Sequence, residues 1–220
     1  MTPYYEDDHV TIYHGDCREI TEWLSADVLV TDPPYGMTLR SSRSGAFGEC
    51  DIAGDDTTDA RDAALAMWGD RPALVFGRWS VPRPPDTRML LTWEKGEHVG
   101  MGDLSLPWKP NTEEVYVLGD GFSGTRTTSV LRHLAIAGTV GRSDQGTRNH
   151  PTEKPVTLLA ELVAKCPPGI VADPFMGSGT TLRAAKDLGR CSIGIEIEER
   201  YCEIAARRMG QEVLDFGGAA

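Results

Sequence analysis

Long hydrophobic runs are missing from this 220-residue chain: no stretch approaches the roughly 18 apolar residues that a membrane-crossing helix needs. The opening residues, MTPYYEDDHV, carry neither the basic segment nor the apolar core of an export signal, so the expectation is a cytoplasmic chain. Cysteine is scarce and unpatterned. The five, at 17, 50, 166, 191 and 202, are odd in number and form no C-x-x-C pair, which argues for reduced structural thiols and against a zinc site. Overall basic charge is lacking too: the net charge of −11 is the reverse of what a nucleic-acid-coated protein usually shows. Two nucleotide-binding loops are also absent. There is no G-x-x-x-x-G-K-[ST], and a G-x-G-x-x-G reading fails because Leu182 stands where the third glycine should be.

What is present is ordinary globular material. Hydrophobic residues make up 40% and charged residues 25%, in a length that suits one domain with one core. The acidic excess is uneven. Residues 49–70 hold Glu49, Asp51, Asp55, Asp56, Asp59, Asp62 and Asp70 against Arg61 alone. Residues 120–150 hold Arg126, Arg132, Arg142 and Arg148 against Asp120 and Asp144, so one surface can be basic in an acidic whole; a scattered, solvated arginine set is the plainer reading.

Short apolar runs alternate with helical patterns, which predicts an α/β domain with a mainly parallel sheet. Strands are expected over 10–13, 27–31, 73–77, 88–93, 113–118, 169–172 and 191–195, and helices over 18–25, 59–69, 155–165, 179–188 and 198–209. In the last helix Ile197, Tyr201, Ile204 and Met209 share a face, and acids lead while arginines trail, as the helix dipole favours. Two stretches resist assignment, 36–58 and 119–150, and loops of that length usually carry function. Trp93 and Trp108 read as core or interface aromatics, although Lys109 beside Trp108 leaves a nucleotide contact open; His98 and His133 read as structural histidines.

Two constellations carry chemistry. The first is TDPPYG, residues 31–36: a strand ends on Asp32, and Pro33 and Pro34 stop sheet pairing and stiffen the backbone that presents the acid and Tyr35. The second is IVADPFMGSGTT, residues 170–181, where a buried strand reaches Asp173 and a glycine-rich turn leads into a helix. Gly177 and Gly179 permit close backbone approach to a ligand at the carboxyl ends of parallel strands. About fifteen residues on, CSIGIEIEERY ends a further strand at Glu196, either a helix N-terminal acid or the acid that holds ribose hydroxyls; the glycine turn one unit upstream favours the ribose. Near the N-terminus TIYHGDCREI repeats strand, Gly15–Asp16, helix, with Asp16 as a cap or a ligand contact.

The pair DPPY and DPFMGSGTT, joined by HPTEKPVTLLAELV at 150–163, resembles the amino-group DNA methyltransferases that use S-adenosylmethionine. The order, catalytic motif first and cofactor motif last, is similar to the permuted beta group of that family, which includes relatives of restriction systems in prokaryotes and compact phage-type enzymes. The resemblance covers 10–36 and 150–209, and implies a Rossmann-like α/β fold: a mainly parallel seven-stranded twisted sheet with helices on both faces, in a single domain with recognition insertions at 37–58 and 119–150. By position it implies that Asp32, Pro33, Pro34 and Tyr35 form the catalytic motif. Asp32, Asp173, Pro174, Phe175, Gly177, Ser178, Gly179 and Thr180 would surround the cofactor, Glu196 would hold its ribose, and Asp16 with Cys17 would face its adenine. His150, Thr152 and Lys154 would help wall the same pocket.

The chemistry suits those residues. An exocyclic amine is a poor nucleophile because its lone pair is delocalised into the ring, and Asp32 with the Pro33 carbonyl can each accept one N–H and turn that lone pair toward the methyl group. Tyr35 offers a face to a base flipped from the duplex. In the family an acid in the first place leans toward adenine N6, with cytosine N4 open; transfer to RNA or to a protein glutamine, and a relative without turnover, are the rivals. Double-stranded DNA is the expected partner. Arg126, Arg142 and Arg148, with Arg40 and Arg43, are the expected DNA contacts. A homodimer is suggested by the group alone.

Overall fold

A computed structural model describes residues 1–35, 57–97, 104–136 and 153–211. Its centre is a mixed sheet with nine strands among the described residues: β1 (Tyr5–Glu6), β2 (Val10–His14), β3 (Val28–Thr31), β4 (Ala73–Gly77), β5 (Met89–Glu94), β6 (Thr112–Leu118), β7 (Val130–Arg132), β8 (Val171–Asp173) and β9 (Ser192–Glu196). Their order across the sheet is β1-β2-β9-β8-β3-β4-β6-β5-β7. The middle five, β2 through β4, run parallel, and β6 reverses against both β4 and β5. β3 and β4 are buried along their whole length, which is what the unbroken runs VLVT and ALVFG require: a central parallel strand is covered on both faces and shows no alternation.

Helices cover both faces. On one lie α2 (Val156–Val163), α3 (Thr180–Asp187) and α4 (Glu199–Met209). There Leu158, Leu159, Leu162 and Val163 pack on Val28, Val30, Leu74 and Phe76. On the other, α1 (Asp59–Trp68) and a 3-10 turn (Glu22–Ser25) present Ala64, Trp68 and Trp23 to Leu29, Ala73 and Val75. Successive residues of β3 and β4 thus feed opposite layers, as the period of two demands. Trp23 and Trp68 stack with ring centroids 5.8 Å apart, and the Arg71 guanidinium lies 3.5 Å over the Trp68 ring while donating to the carbonyls of Leu24 and Ala26.

Four expectations need correction. The helix expected over 18–25 is a turn followed by the short 3-10 segment, because the adjacent β-branched Ile20 and Thr21 disfavour helix and Trp23 is anchored instead by donating to the Cys17 carbonyl at 2.9 Å. The sheet has two more strands than the seven expected: β1, only two residues long, and β7, which lies inside the stretch that resisted assignment. Ile197 precedes α4 and is 48% exposed, so the buried face of that helix is Tyr201, Cys202, Ala205 and Met209. Trp108, read as core or interface, is 77% exposed and so is not core, whereas Trp93 is core. His133 is satisfied, its ring nitrogens lying 3.1 Å from Thr157 Oγ1 and 2.8 Å from Glu161 Oε2. His98, Cys50 and most of 36–58 lie outside the described residues. No described helix is long and apolar enough to cross a membrane.

Candidate active site

The parallel register sets His14 beside Glu196 and Asp173 beside Gly194, so β2, β9, β8 and β3 all deliver their carboxyl ends to one edge of the sheet. From β8 the chain crosses over α3 to β9 on one side, and from β3 it crosses over α1 to β4 on the other. A crevice opens outside the strand ends where such crossovers diverge. It is a cavity of about 470 Å³.

Most of the residues singled out by sequence meet there. Asp16, Cys17, Asp32, Pro33, Pro34, Tyr35, Lys154, Asp173, Pro174, Phe175, Gly177, Ser178, Thr180 and Glu196 all line it. Gly179 does not. Its φ of +77° suits glycine, and a Cβ there would meet Ala205 Cβ at 2.8 Å, so its bareness serves the contact with α4. Gly177, at φ +51°, has open space where its Cβ would be. Arg126 is exposed and away from the cavity, while Arg40, Arg43, Arg142, Arg148, His150 and Thr152 lie outside the described residues.

At the β8–β9 end the two acids are held by hydroxyls and backbone. Asp173 Oδ1 accepts from Thr31 Oγ1 at 2.7 Å and from the Phe175 N–H at 3.2 Å, and burial pushes its carboxyl up to about 6. Glu196 takes the Gly177 N–H on Oε2 at 2.9 Å and the Glu198 N–H on Oε1 at 2.8 Å, and burial pushes it up to about 7. Among the described residues no cation pairs with either. The glycine turn is clamped from behind: Arg208 on α4 donates to the Ser178 carbonyl and to Thr180 Oγ1, both at 2.9 Å, and pairs with the buried Glu153. Asp16 is gripped by Arg18, whose Nε lies 2.9 Å from Oδ1, and that guanidinium holds the carboxyl below its usual range. Burial pushes the Cys17 thiol up to about 12, so it stays protonated.

The β3 end is charged by contrast. Lys154 Nζ contacts Asp32 Oδ2 and lies 3.2 Å from Glu113 Oε2, and Lys95 Nζ contacts Glu113 Oε1. The Tyr35 hydroxyl donates to Asp32 Oδ1. A quarter of the Asp32 side chain is still reachable from the cavity, while Lys154 is only 7% exposed and lies 5.0 Å above the Phe76 ring. Burial and the neighbouring Glu113 charge raise Asp32; the two carboxylates keep Lys154 protonated; the two lysines hold Glu113 low despite its burial. Sequence reading missed Glu113, Lys95, Phe76 and Arg208. Each comes from an element with no motif of its own, and only pairing of β6 with β4 and β5 carries Glu113 to the cavity.

A doubly wound sheet, a glycine turn under an acid-bearing strand and a second strand ending on a proline-stiffened carboxylate define an α/β fold whose two acid-bearing ends open on one cavity. A DNA methylase family model for N6/N4 methyltransferases matches residues 84–207. The chain is 30% identical to the methylase YubD of Escherichia coli (strain K12) over 93% of both chains, and 28% identical to the type II methyltransferase M.ScaI of Streptomyces caespitosus over 96% of this chain and 84% of that one. It belongs to this family of amino-group DNA methyltransferases. Two solved folds are similar: an M1.HpyAVI–SAM complex (TM-score 0.63, 23% identity, 92% of this chain and all of that one) and the cytosine-N4-specific PvuII DNA methyltransferase (TM-score 0.65, 16% identity, 96% and 89%).

Proposed function

We propose that the protein binds S-adenosylmethionine at the β8–β9 end of the cavity and transfers its methyl group to N6 of an adenine flipped out of duplex DNA. One observation carries the reading: Asp32 and the stiff Pro33–Tyr35 lip open on the same cavity as Asp173, Gly177 and Glu196, so an amine held at one end faces a nucleoside held at the other. The residues fit the cofactor. Glu196 has lone pairs beyond its two backbone partners for the ribose hydroxyls, and the open space at Gly177 admits a ligand against the turn. When bound, the cofactor supplies an electrophilic methyl on a sulfonium.

The chain's own part is positioning. Asp32 and the Pro33 carbonyl accept the amine's two N–H bonds and turn its lone pair toward the cofactor. In doing so the amine displaces the Tyr35 hydroxyl from Asp32 Oδ1, which frees that ring to lie on the base, a contact worth roughly 1–3 kcal/mol. Lys154 remains and keeps the buried carboxylate from standing as an unpaired charge. The acid in the first place of DPPY supports adenine over cytosine. Phosphate contacts fall to the arginines of the 119–150 stretch, Arg126 among them, and to Arg40 and Arg43.

Incubation with labelled S-adenosylmethionine and mixed-sequence duplex DNA, followed by digestion and mass identification of the nucleoside, tests this. N6-methyladenine is the expected product. N4-methylcytosine would keep the mechanism and overturn the base, and methyl transfer to RNA or protein alone would overturn the substrate.

A further inference from the structure

Glu113 has no part in the mechanism above, yet it lines the cavity one ion-pair distance beyond the lysine that holds the catalytic acid. The order in space is Asp32, Lys154, Glu113: acceptor, donor, acceptor. Lys154 Nζ touches Asp32 Oδ2 and lies 3.2 Å from Glu113 Oε2, a buried oxygen that this ion pair leaves without a well-aligned hydrogen bond among the described residues. Lys95, itself 5.1 Å from the Trp93 ring, pins the other oxygen of Glu113 in place.

An adenine presents, in order along its pairing edge, the N6 amine (donor), N1 (acceptor) and C2–H (a weak donor at most). Cytosine presents its N4 amine, N3 (acceptor) and then O2, a strong acceptor. The first two places match the Asp32–Lys154 pair in both bases. The third separates them, because a carboxylate facing C2–H is tolerated and a carboxylate facing O2 sets two acceptors against each other. Guanine and thymine fail at the first place, where each offers a carbonyl to Asp32.

We propose that Asp32, Lys154 and Glu113 read the pairing edge of the flipped base, with Lys154 donating to its ring nitrogen and Glu113 excluding cytosine through O2. This rests on the adenine reading and deepens it: the choice between the two amino bases lies in Glu113, on a strand without a recognised motif, and not in DPPY alone.

The test uses the full chain and mixed-sequence duplex DNA, with both methylated nucleosides counted by mass and cofactor affinity measured alongside. The wild type should make N6-methyladenine. Glu113→Gln, whose amide can donate to O2, should raise the ratio of N4-methylcytosine to N6-methyladenine by about tenfold or more, in line with the discrimination carried by a single base-edge contact. Lys154→Met should lose transfer to both bases by roughly a hundredfold with cofactor affinity within a few-fold of wild type. A second measurement needs no variant fold: DNA made with 2,6-diaminopurine for adenine places an amine opposite Glu113, and the wild type should methylate it at N6 at least as well as adenine. An unchanged product ratio in Glu113→Gln with cofactor still bound, or a wild type that handles diaminopurine tenfold worse than adenine, would overturn Glu113's part while leaving the adenine reading intact. N4-methylcytosine from the wild type would overturn both.

Discussion

The two ends of the cavity solve the problem of burying carboxylates in opposite ways. At the β3 end, Asp32 and Glu113 share Lys154, with Lys95 closing the chain, so charge is balanced within the protein. At the β8–β9 end, the donors to Asp173 and Glu196 among the described residues are hydroxyls and backbone, and their carboxyls drift up to about 6 and about 7. On the reading proposed above, the end that offers an acceptor to an amine carries its own counter-ions, which oppose the rise that burial and Glu113 impose on Asp32. The end proposed to take a cationic, hydroxyl-rich ligand leaves its acids partly uncompensated, for the ligand to complete. On that reading the difference in lysine content is a difference of task.

The sharpest way to break this comparison is Asp32→Ala. Methyl transfer should fall by about a thousandfold while cofactor affinity changes only a few-fold, as expected for a group that acts on the base. Equal losses in both would merge the two ends into one. At the other end Glu196→Ala should weaken cofactor binding roughly 10–100-fold, measured by calorimetry, since a charged acceptor of ligand hydroxyls is gone.

A pH series sharpens the contrast. Asp173 and Glu196 are raised, so their burial favours the free fold at low pH and that contribution is lost as pH rises through about 6 and about 7. A ligand that donates to the ionised acids binds better over the same window. Cofactor affinity should climb about tenfold between pH 6 and pH 8, with proton release on binding near pH 6.5. A flat profile would mean that neither acid meets the ligand.

Smaller effects separate the two glycines. Gly179→Ala, strained and 2.8 Å from Ala205, should cost about 2–4 kcal/mol in thermal unfolding, and Gly177→Ala only about 1 kcal/mol while weakening the cofactor. Arg126→Ala should lower DNA affinity a few-fold and reduce the salt slope by about 1; an unchanged slope would remove Arg126 from the interface.

The sheet's centre was legible because buried parallel strands write themselves as unbroken apolar runs, and the acids at their ends stand in rigid or glycine-rich turns. Asp32, Asp173 and Glu196 were found that way. The edge strands were not, because two or three residues such as Tyr5–Glu6 and Val130–Arg132 carry no period. Glu113 was invisible for a related reason: EEVYVL reads as a strand start, and nothing local shows that an antiparallel β6 points that start at the cavity. Gly179 has a packing role that its motif does not show, since its neighbour Ala205 on α4 is twenty-six positions away in no motif at all. Local chemistry reveals local sites, whereas a partner brought by pairing needs the fold.

Single-turnover transfer at saturating cofactor is the most direct test of the division between the two ends. With S-adenosylmethionine well above the weakened dissociation constant, Glu196→Ala should regain transfer to within about fivefold of wild type, while Asp32→Ala should remain about a thousandfold down. A Glu196→Ala enzyme that stays as slow as Asp32→Ala with its cofactor site filled would contradict the assignment of separate tasks.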